Sequence, residues 1–154
     1  MNICFHHVGE LGASKDFPKT VYNTVSIEDI INYIPDTITQ KSKIIDELRS
    51  RFPQGEANCW GVPSGARSVI RNLKENDVVL LVEKASINGG LVPIKCRVLV
   101  YHVVELYGLS EALWGSDKFP YIFFFNTESL NLAWIDFINH INYKENFRVC
   151  GQLG

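Results

Sequence analysis

The sequence predicts a single mixed α/β domain, with several short helices set around a curved mixed sheet or an open β-barrel. Three observations point there. The chain has 154 residues, of which 46% are hydrophobic and 21% charged, a globular balance with enough length for one sizeable core. Short apolar runs rich in β-formers recur: NICFHHV over 2–8, VVLLV over 78–82 and YIFFFN over 121–126. Between them lie segments in which apolar residues return at helical spacing.

The elements follow in order. Residues 2–8 read as a first strand, and residues 9–20 (GELGASKDFPKT) as a long loop, of a length that often carries function, because Gly, Ser and Pro interrupt any period. Ser26 with Asp29 resembles a capping box ahead of Ile27, Ile30, Ile31 and Ile34, and Pro35 stops that helix. A second helix is expected over 39–50, with Ile44, Ile45 and Leu48 on one face. Residues 52–63, with Pro53, Gly55, Gly61 and Pro63, read as irregular or briefly extended. Ser64 caps an expected third helix over 65–73, with Ala66, Val69, Ile70 and Leu73 facing inward.

Asn76-Asp77 turns the chain into the 78–82 strand, and Asn88-Gly89-Gly90 is a hairpin signal. One or two strands are expected over 91–105, a short helix or turn over 109–114, a loop over 115–118 and a strand over 121–126. A last helix over 133–142, with Trp134 in the core, and a final strand over 146–150 complete the chain.

Composition narrows the function. The formal net charge of −2 lacks the basic surplus of a strong nucleic-acid binder, so any such affinity needs a local patch, a base pocket or neighbouring chains. Cys4, Cys59, Cys96 and Cys150 are scattered without a CxxC pair, which argues for reduced thiols rather than a zinc site. His6, His7 and Glu10 interrupt any leader-like apolar stretch, and no apolar run reaches the roughly 20 residues of a membrane span. A soluble, cytoplasmic protein is expected. No HExxH, Walker, GxSxG or GxGxxG pattern occurs, and the carboxylates and histidines form no evident catalytic constellation. No catalytic residue, metal or cofactor is expected, and a binding domain is the better reading.

The aromatic residues carry more information. Trp60 (CWGVPSG) and Trp114 (ALWGSDKFPY) both fall in glycine-containing segments read as irregular, where indoles can line a slot for a flat ligand or plug the mouth of a barrel. Gly61 and Gly65 allow close backbone approach, and N–H groups near Ser64–Arg67 suit a phosphate or carbonyl. Arg67 and Arg71, one helical turn apart, and the loop residues Lys15, Lys19 and Lys118 can touch phosphates or simply face solvent.

The stretch Trp60–Leu81 (WGVPSGARSVIRNLKENDVVLL) resembles the EVE and YTH domains of the PUA-like superfold: a Trp, then Gly61-Val62, then Ala66-Arg67, then a turn at Asn76-Asp77 into a strand. The segment Leu113–Tyr121 (LWGSDKFPY) resembles the later motif of EVE domains, with Trp114, Asp117 and Phe119-Pro120-Tyr121 entering a strand. The resemblance implies a PUA-like fold in which Trp60 and Trp114 wall an aromatic cage around a modified base. Backbone at Gly61 and Val62 would read the base edge, and the end of the first strand near His6 and His7 would line the pocket. Ser64, Asp117 and Phe119 join the expected pocket, with Phe119, Tyr22 or Tyr33 as a third wall. Pro63 and Asn76 depart from the pattern, replacing a polar or basic residue and a glycine.

The opening NICFHHVGELGASKDFPKT is similar to the N-terminal recognition domains of archaeal McrB-type proteins of modification-dependent restriction systems. That similarity implies a targeting domain cut from a longer protein that oligomerises through a GTP-driven motor, with a flipped methylated base, best methyladenine in DNA, as ligand. An RNA-binding EVE or YTH-type module, and an interaction domain whose pocket is filled by its own side chains, are the alternatives. An ASCH-like hydrolase would need a Lys, Thr/Ser and Glu cluster that the sequence does not assemble.

Overall fold

The computed structural model describes residues 2–8, 10–66, 72–82, 91–133 and 148–152. Seven strands form one mixed sheet. They are β1 (Asn2–His7), β2 (Val25–Ser26), β3 (Glu56–Val62), β4 (Val78–Val82), β5 (Leu91–Val100), β6 (Tyr121–Ala133) and β7 (Arg148–Gln152), in the spatial order β2-β3-β6-β5-β4-β1-β7. The five strands from β2 to β4 pair antiparallel, whereas β1 runs parallel to both β4 and β7. Helices α1 (Glu10–Thr20), α2 (Ile27–Asn32), α3 (Lys41–Arg51) and α4 (Tyr107–Trp114) complete the described architecture. The mixed α/β class expected from the sequence is the one observed.

Helix α2 begins as its cap predicts: the Ser26 hydroxyl accepts the Asp29 backbone N–H at 3.4 Å, and Ile27, Ile30 and Ile31 are buried. It is shorter than expected. Tyr33 N bonds Ile30 O and Ile34 N bonds Ile31 O, so the last turn tightens to i→i+3 bonds and Ile34 lies outside it. Helix α3 buries Ile44 and Leu48 and carries Arg49 and Arg51 in its last turn, where positive charge suits the helix dipole.

Several expectations need correction. Residues 9–20 are not a loop, because α1 occupies Glu10–Thr20. Its local propensity is poor, and Pro18 sits inside it, but Phe17 and Thr20 are fully buried, and tertiary burial stabilises short helices more than propensity does. Pro18 is tolerated near the end, where the chain leaves the helix with Val21 N and Tyr22 N both bonding Phe17 O.

Residues 52–63 are not irregular throughout. After a turn at Gly55 (φ 83°), β3 runs from Glu56 to Val62 with every residue from Ala57 onward buried. A strand covered on both faces shows no polar alternation, which is why the period-2 signal was missing. Trp60 therefore stands on a strand, opposite Phe123, and Trp114 ends a helix; neither lies in an irregular segment.

Of the helix expected over 65–73, only Ser64–Ala66 is described, as a 3-10 turn; residues 67–71, with Arg67 and Arg71, lie outside the described residues. Strand β6 continues to Ala133, past the expected end at Asn126, because it pairs with β5 as far as Leu91↔Ala133. Trp134 and the rest of the expected 133–142 helix, and the turn at 88–90, lie outside the described residues. The Asn76-Asp77 turn is as expected: Asn76 adopts φ 73°, and the Asp77 carboxylate accepts the Lys74 backbone N–H at 2.9 Å. None of the described helices is long and apolar enough to cross a membrane.

Candidate functional site

Five elements bring a set of rings together. Strand β3 supplies Trp60, α1 supplies Phe17, β1 supplies His6, α4 supplies Trp114, and the loop from α4 to β6 supplies Phe119. Trp60 contacts Phe17 edge-to-face with centroids 5.1 Å apart, and lies 6.4 Å from His6 at 52°. Trp60 and Trp114 meet at 5.8 Å and 66°, and Trp114 meets Phe119 at 6.2 Å and 87°. Edge-to-face geometry aims ring hydrogens at π faces and is favourable beyond simple burial.

The two indoles are almost fully buried, Trp60 at 6% exposure and Trp114 at 3%. A base sandwiched between parallel rings needs about 7 Å between them, two van der Waals separations. At 5.8 Å and a steep tilt, the indoles touch each other instead, and the cluster is closed in this state.

Gly61 permits that contact. A Cβ there would fall 2.5 Å from the Phe119 carbonyl oxygen and 2.8 Å from the Trp114 ring edge. The loop from α4 is also held. Gly115 at φ 71° ends the helix, the buried Ser110 hydroxyl donates to Ser116 O at 2.5 Å and accepts from Phe119 N at 3.2 Å, and Leu106 N bonds Pro120 O.

The two indole N–H groups fare differently. Trp114 Nε1 donates to the buried Thr20 hydroxyl at 3.3 Å. Trp60 Nε1 is buried and finds no hydrogen-bond partner among the described residues. An unpaired buried donor costs about 1–3 kcal/mol.

The other expected site residues scatter around this cluster. Val62 is fully buried, beside Gly61 and opposite Tyr121. Ser64 is exposed in the 3-10 turn near the Tyr107 phenol, which donates to Glu105 at 2.7 Å. The bond to Glu105 raises the Tyr107 pKa, and Asp117 adds to the same shift from nearby. Ser64 and Asp117 thus share an exposed rim with Tyr107 rather than joining the rings.

His7 is placed by its backbone alone, at the end of β1 opposite Val82. Lys15 on α1 and Lys118 in the α4–β6 loop are exposed, and Lys19 pairs with Asp16 at 3.3 Å. Of the candidate third walls, Phe119 touches Trp114, Tyr22 packs on Phe17 at 5.6 Å but is largely exposed, and Tyr33 lines a separate cavity of about 380 Å³ between α2 and α4. A second cavity, of about 490 Å³, lies between α3 and the end of β5.

Phe17, Thr20 and Tyr107 were absent from the sequence-based site. Reading 9–20 as a loop hid the first two, and nothing local marks Tyr107.

No protein-family profile and no curated protein matches the chain. Its structure is similar to a solved structure described as the N-terminal domain of Thermococcus gammatolerans McrB bound to m5C DNA, with a TM-score of 0.55 and 19% identity over 95% of this chain and 82% of that one. At that identity the likeness is one of fold alone, and it agrees with the mixed α/β architecture described above.

Proposed function

We propose that this chain is a binding domain for DNA that carries a methylated base. The likeness of fold to a domain solved on m5C DNA, over 95% of the chain, carries the reading. The ring cluster of Trp60, Trp114, Phe119 and His6 supports it, since stacked aromatic rings are the general means of holding an extruded base. In the proposal, Trp114 and the loop bearing Phe119 move off Gly61 and the base enters beside Trp60. Gly61 and Val62 border the opening, and Ser64, Tyr107, Asp117 and Lys118 form its rim. His7, Lys15, Arg67 and Arg71 are proposed to meet the flanking nucleotide backbone or pocket edge. The preferred ligand is adenine methylated on its exocyclic amine, and the proposed setting is the targeting end of a GTP-dependent restriction assembly that oligomerises through another domain.

The test is an anisotropy titration at fixed salt. It uses matched duplexes bearing methyladenine, m5C or no modification, and RNA of the same sequence. Wild type is expected to prefer a methylated duplex. Trp60→Ala and Trp114→Ala, checked for folding by circular dichroism, are expected to lose roughly 5- to 100-fold of that affinity, the worth of an aromatic contact to a base. Equal binding of methylated and plain duplexes by wild type sinks the proposal.

One observation favours a second reading, an interaction domain with an occluded pocket: the two indoles are in direct contact. Under that reading, tryptophan emission does not respond to any of these oligonucleotides.

A further inference from the structure

Two indoles lie side by side at nearly equal burial, yet among the described residues only the Trp114 N–H finds an acceptor. Thr20 accepts the Trp114 N–H. The Trp60 N–H has no acceptor among the described residues, although Trp60 sits at the centre of the cluster, ringed by His6, Phe17 and Trp114. Two buried side-chain acceptors on the same strand and the adjoining helix are engaged elsewhere: the Thr20 hydroxyl by Trp114, and the Asn58 amide oxygen by Thr127. Buried donors without partners are rare in folded proteins and call for a specific explanation.

We infer that the Trp60 indole N–H is a recognition donor, held unpaired in the closed cluster and satisfied by an acceptor atom of the ligand that enters. This inference rests on the reading of the cluster as a base receptor and specifies what the base must present: a ring nitrogen or carbonyl oxygen in the base plane, at the edge facing Trp60. Stacking alone accepts any flat ring, because every base has a π face. A buried donor does not, because a ring that offers C–H at that edge leaves the N–H unpaired in the complex as well. Trp60 would therefore select among bases by an edge contact, while Trp114 and Phe119 supply area.

The experiment replaces Trp60 by benzothienylalanine, which keeps the bicyclic shape and exchanges N–H for sulfur; Trp60→Phe serves as the genetically simple companion. Affinity is measured for the preferred methylated duplex and for analogues in which each ring nitrogen of the target base is replaced by C–H. Wild type is expected to lose about tenfold for one analogue, the worth of a buried hydrogen bond. The benzothienyl protein is expected to bind the parent duplex about tenfold more weakly and to be indifferent to that same analogue. Such non-additivity identifies two atoms in contact.

In denaturant the benzothienyl protein is expected to be at least as stable as wild type, since no unpaired donor is then buried. Wild-type affinity for the parent duplex in the benzothienyl protein, or additive losses, overturns the inference and leaves the base-receptor reading standing. Failure of wild type to distinguish methylated from plain DNA overturns both.

Discussion

Gly61 is the residue on which the closed cluster depends. Its missing side chain is the space that the Trp114 ring edge and the Phe119 carbonyl occupy, and both fall within 3 Å of where a Cβ would stand. The backbone carbonyl cannot swing away as a side chain would. Gly61→Ala is therefore expected to destabilise the fold by about 1–3 kcal/mol, the usual cost of overpacking, read as a lower urea midpoint. Part of that cost falls on the contact between Trp114 and β3, so the variant should also expose Trp114 and shift its emission to longer wavelength. An unchanged midpoint with unchanged emission would mean the cluster is looser than its contacts indicate. The neighbouring Trp60 was recognisable from sequence as special, but the reason given, a place in an irregular segment, was incorrect.

Among the elements, β3 is where helix, strand and turn are tied together. Asn58 is buried on it, and its amide nitrogen donates to the carbonyls of Thr20, Val21 and Asn23 at 3.2, 3.0 and 3.2 Å, while its oxygen accepts from Thr127 N at 3.2 Å. One side chain thus closes the end of α1, the turn after it and the adjacent β6. Asn58→Ala removes these bonds and leaves carbonyls without their donor in a buried place. A loss of about 1–3 kcal/mol is expected in a urea titration, with faster amide exchange at the end of α1. The amphipathic elements, α2 and α3, could be read from sequence because their apolar residues repeat at helical spacing. Helix α1 could not, because Gly12 and Pro18 disguise it and its stability comes from burying Phe17 and Thr20 against other elements.

At the scale of the molecule, the sheet joins distant parts of the chain. The first strand lies between β4 and β7, paired parallel to both, so the two ends of the described chain are held at one edge. Inside this fold Cys59 and Cys96 are free and buried, and burial pushes both thiols far above their usual pKa. Thiols held neutral and covered should react with a disulfide reagent only through opening of the sheet. Labelling mapped by mass spectrometry is expected to reach Cys59 and Cys96 at the unfolding rate, and fast labelling in buffer would contradict the burial. The sign of the pH effect follows. A folded-state pKa raised above the unfolded value favours the fold below the unfolded thiol pKa of about 8.5, and that stability is lost as pH rises beyond it, because the unfolded chain gains charge that the fold excludes.

From its own order of residues the chain determined its α/β class, the capped helix at Ser26, the apolar strands and the pair of indoles set apart by their glycine-rich surroundings. These are local properties, and short-range spacing and turn chemistry express them directly. Tertiary structure alone decided that 10–20 is helical, that Trp60 stands on a strand buried on both faces, and that Trp114 crosses to meet it over Gly61. Only the fold also decided which indole N–H finds an acceptor, since Thr20 lies 94 residues from Trp114 and no local rule links them. Burial and pairing depend on what the rest of the chain brings alongside, and that information is not carried by any one segment.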